Sequence, residues 1–536
     1  MKKLKSVCVA IAMAGAAPTF AGGLLTNTNQ HVAFNRMMSR EASIGIDGVY
    51  YNPAGVVFMG EGHHLAINWQ LAYQTRTINN DYKLFTNNVN NPITPRDFKG
   101  KAFAPVIPSF QYAYNKGKWS FQANFSLTGG GGKCTFDDGL GSFEKIVSET
   151  AIAACGLAGV VDQTLGNALG QQGMEMFTSD QAFGKTGKYS FNSYMHGRQY
   201  YYGLSAGAAY KFCDNFSAFL GVRGVYALTN YYGYVENINV GNMPLYKVLD
   251  PTKESSANIE LSCDQSGVGF TPIIGVDYKT GRWNFSAKYE FKTRIRLKNK
   301  SVNQTPSIGN LPANLANQMT GILTAKYQQA GLPLEQAKQQ AENTTNAVLN
   351  DPTVGATMMG LKTQFDQKLN KAIGEYEDGK KIAGDIPAYL ALGVGYSPVD
   401  AVRVNVGFHW FDDKNATSYN NRNKELKRGT LEYNAGVEVD VNKKITLSTG
   451  WQNTNYGLSD EYMDDKSFVV GSNSAAIGGV YHINKKMDLN VAYFHTFYQH
   501  KKTSETVQLA ADNSIVYNSD YTRNNNVFAV GLDINF

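Results

Sequence analysis

Along the stretch Trp283 to Leu297, Asn284, Ser286, Lys288, Glu290, Lys292, Arg294 and Arg296 fall on one parity, and Phe285, Tyr289, Phe291 and Ile295 on the other. Successive side chains of a strand point to opposite faces, so this spacing predicts a basic ladder backed by an apolar face. Arg223 and Arg403 occupy the equivalent parity of their own stretches. A half-buried lysine or arginine holds a carboxylate by charge-assisted hydrogen bonds. Lys288, Lys292, Arg294, Arg296 and Arg223 are therefore candidates for binding an acidic ligand. The stronger competing reading is that these bases pair with acids on the same inner face, such as Glu432, Glu438 and Asp440.

Other reactive residue types carry less. Gly203-Leu-Ser205-Ala-Gly207 matches the nucleophile-elbow pattern, but an elbow needs a strand-to-helix turn. Here the motif lies inside an alternating stretch, Tyr202 to Phe212, which argues against a hydrolase. The cysteines show no zinc spacing. Cys134 and Cys155 share one long connection and are able to pair in an oxidising compartment. Cys213, in a short turn, and Cys263, at the opposite end of a strand, should not. No nucleotide-binding loop is present, and no metal or other cofactor is expected. The net charge of +6 is spread over 536 residues with both signs interspersed, which gives no footprint for nucleic acid.

The elements that position these residues read as membrane strands. The terminal run Asn526 to Phe536 places Phe528, Val530, Leu532, Ile534 and Phe536 on one face and Ala529, Gly531, Asp533 and Asn535 on the other. One face suits lipid and the other a watery lumen. Leu65, Ile67, Trp69, Leu71 and Tyr73 face outward in an earlier stretch, with Asn68, Gln70, Gln74 and Arg76 inward. Trp119 to Thr128 alternates likewise, as do stretches near Val402 to Trp410, Leu431 to Val441 and Met487 to Tyr493. Short polar turns at Asn115-Lys-Gly-Lys118, Cys213-Asp-Asn215, Lys279-Thr-Gly-Arg282, Ser397-Pro-Val-Asp400, Val441-Asn-Lys-Lys444 and Ile483-Asn-Lys-Lys486 separate paired strands. Longer connections alternate with them. The pattern predicts an all-β, antiparallel transmembrane barrel of about fourteen strands, an even number as single-chain bacterial barrels have.

The N-terminus fits that compartment. Lys2, Lys3 and Lys5 precede an apolar run from Val7 to Ala17, and Thr19-Phe20-Ala21 supplies a small-residue cleavage site. Residues 1–21 therefore read as a signal peptide. Residues 22–62 show no strand alternation yet are rich in apolar residues, which predicts a plug inside the barrel formed by residues 63–536. A soluble sandwich also alternates, but it would not place the polar face inward over so many strands. A general diffusion porin would have no reason for such a plug.

Within the plug, Ser39-Arg-Glu-Ala-Ser-Ile-Gly-Ile-Asp47-Gly-Val-Tyr-Tyr51-Asn52-Pro53-Ala54-Gly55 resembles the hatch of the FadL family of outer-membrane transporters for long-chain fatty acids and other hydrophobic compounds, whose hatch carries an Asn-Pro-Ala element. The terminal Phe536 also resembles the signal by which bacterial outer-membrane barrels reach their assembly machinery. The resemblance is tight over Arg36 to Gly55 and the last strand and architectural elsewhere, so substrate identity does not transfer with it.

The resemblance implies a fourteen-stranded barrel with an N-terminal hatch, working as a monomer in the outer membrane of a Gram-negative bacterium. It further implies capture of a hydrophobic or amphiphilic molecule by external loops, an interior pocket, and lateral release to outer-membrane lipid through a gap made by an inward kink of the third strand. The run Gly129-Gly130-Gly131-Gly132 is a candidate for that kink, since glycine weakens a ladder and permits a bend. An equally good reading is that it opens the following loop. The connections of about residues 132–189 and 302–382 exceed ordinary loops, and such length is usually functional. Ile308, Leu311, Leu315, Met319, Ile322 and Leu323 recur at helical spacing, as do Leu361, Phe365, Leu369 and Ile373, and Val161, Leu165 and Leu169. These helices either pack together as a lid or expose a first apolar groove, with Leu315, Met319, Ile322 and Phe365 as candidates. The same long loops also suit a receptor or adhesive role.

Overall fold

The computed structural model describes residues 24–171, 173–510 and 513–536; the expected signal peptide lies outside them. Fourteen antiparallel strands close into one barrel. They are β1 (Gly62–Tyr82), β2 (Arg96–Lys116), β3 (Trp119–Phe136), β4 (Tyr189–Cys213), β5 (Phe216–Val240), β6 (Ile259–Thr280) and the two-part β7 (Trp283–Glu290, Arg296–Gln304). The second half comprises β8 (Lys381–Ala383, Tyr389–Val399), β9 (Val402–Phe411), β10 (Thr430–Asn442), β11 (Ile445–Asn455), β12 (Ser472–Asn484), β13 (Met487–Tyr498, Lys501–Ala510) and β14 (Asn513–Asn535). Closure is by the β1–β14 ladder, which runs from His64 opposite Asn535 to Tyr82 opposite Tyr517. A closed barrel leaves no unpaired sheet edge, the condition for crossing lipid with strands.

Alternation follows the sequence. Ile67 and Trp69 are each 42% exposed, while Asn68 and Gln70 between and beside them are 2% and 1%. Polar side chains thus line the interior and apolar ones the lipid face. The short turns that follow β2, β4, β6, β8, β10 and β12 lie at one end of the barrel, and the long connections lie at the other.

The plug occupies the interior near the short-turn end. Helix α1 (Val32–Met37) begins with the His31 imidazole accepting from the Ala33 N–H and ends at Met38, whose φ of 62° is left-handed. Helix α2 (Gly48–Tyr51) and a 3₁₀ turn (Gly55–Phe58) follow. Their apolar side chains fill the interior: Phe34, Met38, Tyr50 and Tyr51 pack on Ala72, Phe494 and Val527 of the wall. Phe34 and Tyr51 stack at 5.2 Å. The plug's charges are met by ion pairs to the wall. Arg36 and Arg40 both reach Glu438, at 2.5 and 2.8 Å, and Arg40 also holds Asp47 at 2.7 Å. Glu41 joins His409, which in turn contacts Glu432.

At the opposite end a helical lid covers the mouth. It comprises α3 (Gly141–Leu169), α4 (Tyr246–Leu249), α5 (Leu311–Gln329), α6 (Leu334–Leu349) and α7 (Pro352–Ile373). A single apolar cluster joins Phe143, Val147, Leu165, Leu315 and Met319 to the outer ends of the strands. Helix α6 packs through Ala337, Ala341, Thr345 and Val348, residues too small and sparse to stand out as an apolar stripe in sequence.

One expectation needs correction, and one open question is answered. The stretch 283–297 is not one strand: β7 leaves the ladder between Glu290 and Arg296. Lys288 and Glu290 are buried before the break, Thr293, Ile295 and Leu297 after it. Because a strand's side chains alternate with period 2, the odd step from 290 to 293 inverts the facing of everything beyond. Arg294 and Arg296 consequently point outward. The thiols of Cys134 and Cys155 are both free; Cys134 is buried on β3 and Cys155 lies on α3, where its S–H donates to the Phe183 carbonyl at 3.4 Å.

Candidate functional site

The Asn-Pro-Ala segment is tied to three wall strands. Asn52 Nδ2 donates to Asp277 Oδ2 on β6 at 2.6 Å, and its Oδ1 accepts from the Gly55 N–H at 3.1 Å, closing the turn. The Pro53 carbonyl accepts from Gln122 Nε2 of β3 at 2.7 Å, and the Ala54 carbonyl from Ser217 Oγ of β5 at 2.7 Å. Proline fixes the chain direction here and has no N–H to satisfy. Each of the three residues therefore places a polar atom on a different strand, and the plug's exit is anchored at the barrel floor.

Beside the plug the β2–β3 seam is interrupted. The ladder pairs Phe110 with Phe125 and resumes only at Phe103 with Lys133, leaving residues 104–109 and 126–132 without partners across the seam. On its other side β3 stays paired to β4, with register shifts between Leu127 and Gly129 and between Gly130 and Lys133. The inner edge of the interruption is occupied by the start of the plug. Thr26 bridges to Gly129, the Asn27 N–H donates to the Thr128 carbonyl at 2.9 Å, and Asn27 Nδ2 donates to the Gly130 carbonyl at 2.6 Å. Gln30 Nε2 adds the Leu127 carbonyl at 2.9 Å.

The glycines are required for this arrangement. A Cβ at Gly129 would meet the Leu25 carbonyl at 2.6 Å, and one at Gly130, whose φ is +68°, would meet the Gln199 carbonyl at 2.5 Å. Gly131 follows within β3. The run lies within β3, where the pairing to β2 is interrupted and the register to β4 shifts. The ladders around residues 291–295 are interrupted too, but there Thr293 and Ile295 turn inward and fill the space against Gly269.

Within the lid an apolar cavity of about 460 Å³ opens between α3, α4, α5 and α7, with Val507 to Leu509 of β13 on one side. Leu315 and Phe365 line it, together with Leu157, Val161, Leu249 and Leu361. Met319, fully buried, belongs to the packing beneath, and Ile322 is 38% exposed away from the cavity.

The basic ladder separates into bound and outward members. Arg223 makes a bidentate pair with Glu290, at 2.6 and 2.9 Å, and Lys288 reaches the same carboxylate at 3.0 Å and the Tyr50 carbonyl at 2.6 Å. Lys288 also stands 4.1 Å from the centre of the Tyr50 ring. These charges fix the plug to the wall. Arg296 pairs with Asp385 at 2.9 Å while more than half exposed, and Lys292 Nζ donates to the Asn415 carbonyl at 3.1 Å. Arg403 holds Asp440 at 2.6 Å.

Sequence reasoning missed the buried pair Arg76 and Arg523, which the β1–β14 register sets directly opposite each other. The parity of both residues is legible in the alternation, but the register that joins first strand to last is not. Ser205 lies in the middle of β4, flanked across the ladders by Asn124 and Arg223, so no elbow forms there.

No family model and no curated protein matches the chain. Among solved structures, a Pseudomonas aeruginosa FadL homologue superposes with a TM-score of 0.56 at 14% identity, covering 96% of this chain and 100% of that one. The Ralstonia pickettii toluene transporter TbuX gives 0.47 at 13% identity, with 95% and 99% covered. The Pseudomonas putida toluene transporter TodX gives 0.47 at 11% identity, with 92% and 94% covered. At such identities the likeness establishes a shared fold: the chain is a fourteen-stranded barrel of the FadL type.

Proposed function

We propose that this FadL-type barrel passes long-chain fatty acids or similar apolar and amphiphilic molecules across the outer membrane of a Gram-negative bacterium by passive diffusion. The observation that carries the reading is the interrupted β2–β3 seam, lined by glycines and backed by the plug. A solute entering the apolar cavity among the lid helices would descend into the barrel and leave sideways through that seam into the membrane. Along such a route it exchanges one apolar surface for another and never pays the full cost of hydration, about 25 cal/mol per Å² of apolar surface. The plug, residues 22–62, blocks ions and polar solutes. The leader, residues 1–21, delivers the chain to the envelope, and the barrel, residues 63–536, works as a monomer.

A receptor or adhesive role for the lid is the second reading, and the size of the helical insertion between β7 and β8 favours it. Expression in a Gram-negative host lacking its own fatty-acid uptake barrel separates the two. Restored uptake of radiolabelled palmitate supports transport; a folded, surface-exposed barrel with no uptake overturns it.

A further inference from the structure

Beyond its break, β7 carries a basic stripe on the outside of the barrel. Arg294, Arg296, Lys298 and Lys300 are exposed and alternate with the buried Ile295, Leu297 and Asn299. Lys381 of β8, exposed as well, stands directly opposite Lys298. Among the described residues, Arg296 alone of these bases has an ion pair, with Asp385. Asp264 of β6 lies opposite Lys300 but accepts from Asn230 Nδ2 of β5 at 2.8 Å instead. Elsewhere at the same end of the barrel, Lys501 meets Asp460 and His500 meets Asp520. Like charges directly opposite on neighbouring strands repel, so Lys298 and Lys381 gain from an anion shared between them.

The outward facing is held by specific bonds. Thr293 and Ile386 exchange both backbone hydrogen bonds at 3.0 Å, and buried Asp385 accepts from the Ile295 N–H at 3.1 Å and from Arg296 Nη1 at 2.9 Å. These contacts fix the odd step after Glu290 and keep the bases out of the lumen. Toward the short-turn end the outer face next to the stripe is apolar, with Phe291 of the break and Val268 and Phe270 of β6 exposed. Toward the long connections it is polar, with Ser266 opposite Lys298 and Asp264 opposite Lys300. The stripe thus begins where the apolar band of a membrane barrel gives way to the head-group layer on the external side. Lysine and arginine at that depth meet lipid phosphates, which both side chains bind by charge-assisted hydrogen bonds.

We propose that Arg294, Lys298, Lys300 and Lys381 bind the phosphorylated glucosamine head group of the glycolipid that forms the outer leaflet, its acyl chains lying against Phe291, Phe270 and Val268. The site needs the barrel to sit in a Gram-negative outer membrane and is indifferent to what the barrel carries. Each base near an anionic lipid surface contributes about fivefold in affinity, so removing several together weakens binding by at least about tenfold.

The test is equilibrium binding of bisphosphorylated lipid A to the mature barrel in a non-ionic detergent, beside the same lipid stripped of its phosphates, phosphatidylglycerol and inorganic phosphate. Wild type is compared with the triple variant Lys298→Gln, Lys300→Gln, Lys381→Gln and with the control Lys443→Gln, Lys444→Gln, Lys485→Gln, which removes equal charge from exposed positions at the short-turn end. All six positions are exposed, so thermal unfolding should be unchanged in both variants, and Arg294→Gln alone supplies a milder second variant. Lipid A affinity should fall at least about tenfold in the first triple variant, fall less in Arg294→Gln and hold in the control. Lipid without phosphates should bind wild type at least about tenfold more weakly. Equal loss in the two triple variants, no loss in the first, or equal binding of the phosphate-free lipid overturns the site. Phosphatidylglycerol matching lipid A overturns the assignment to glycolipid, and inorganic phosphate displacing lipid A at equal concentration overturns the assignment to lipid. None of these outcomes bears on uptake.

Discussion

Glu290 receives two cations, Arg223 and Lys288, with all three side chains buried. Removing one member of such a cluster exposes the rest to desolvation without compensation. Arg223→Met should therefore destabilise the barrel by about 3–5 kcal/mol in urea unfolding from lipid vesicles. The double variant Arg223→Met, Glu290→Met leaves Lys288 facing the Tyr50 ring and carbonyl and should recover only part of that loss. If the single substitution proves neutral, the cluster does not hold the plug to the wall. The inward parity of Lys288 and Arg223 was legible from alternation. The outward facing of Arg294 and Arg296 was not, because the break after Glu290 is set by packing of Thr293 and Ile295 against β6, and nothing in their residue types announces it.

Plug and lid each yield an expectation at the scale of the element. Asn52 supplies Asp277 with one of its two hydrogen bonds, the other coming from Asn284. Asn52→Ala leaves the buried carboxylate under-satisfied and the turn unclosed, a cost of about 1–3 kcal/mol. The plug should then open more often, read as raised ion conductance in planar bilayers; unchanged conductance would show that the anchor is dispensable. Against the lid, buried Asp465 of the segment between β11 and β12 accepts from the Ser142 N–H at the start of α3 at 2.8 Å. Burial and the neighbouring Asp464 push its pKa up from 3.8 to about 6. The folded form thus binds the proton more tightly than the unfolded chain, so its contribution is full below about pH 4 and is lost as pH rises through about 6. Hydrogen-exchange protection at the N-terminus of α3, corrected for intrinsic rates, should fall across that window in wild type and stay flat in Asp465→Asn. Equal profiles would remove Asp465 as the cause. The lid's helices were visible in sequence where large apolar residues recur, as in α3, α5 and α7, and invisible where alanines do the packing, as in α6.

For the whole molecule, the barrel, its closure and the interior plug followed from alternation, turn cadence and the apolar segment before the first strand. The interruption of the β2–β3 seam was suggested only by four consecutive glycines, whose effect depends on the approach of Leu25 and Gln199 from distant parts of the chain. A solute leaving through that seam would pass Ala104 on β2, which lies in its unpaired stretch, 9% exposed beside the plug's aromatic cluster. Uptake of radiolabelled palmitate into cells bearing the wild-type barrel or Ala104→Trp, at matched amounts of folded protein in the outer membrane, tests whether the solute takes this route. The bulky ring should fill the seam and cut the initial rate at least about tenfold, as a barrier raised by 1.4 kcal/mol or more would. Uptake at the wild-type rate through Ala104→Trp would mean that the solute leaves the barrel by another route.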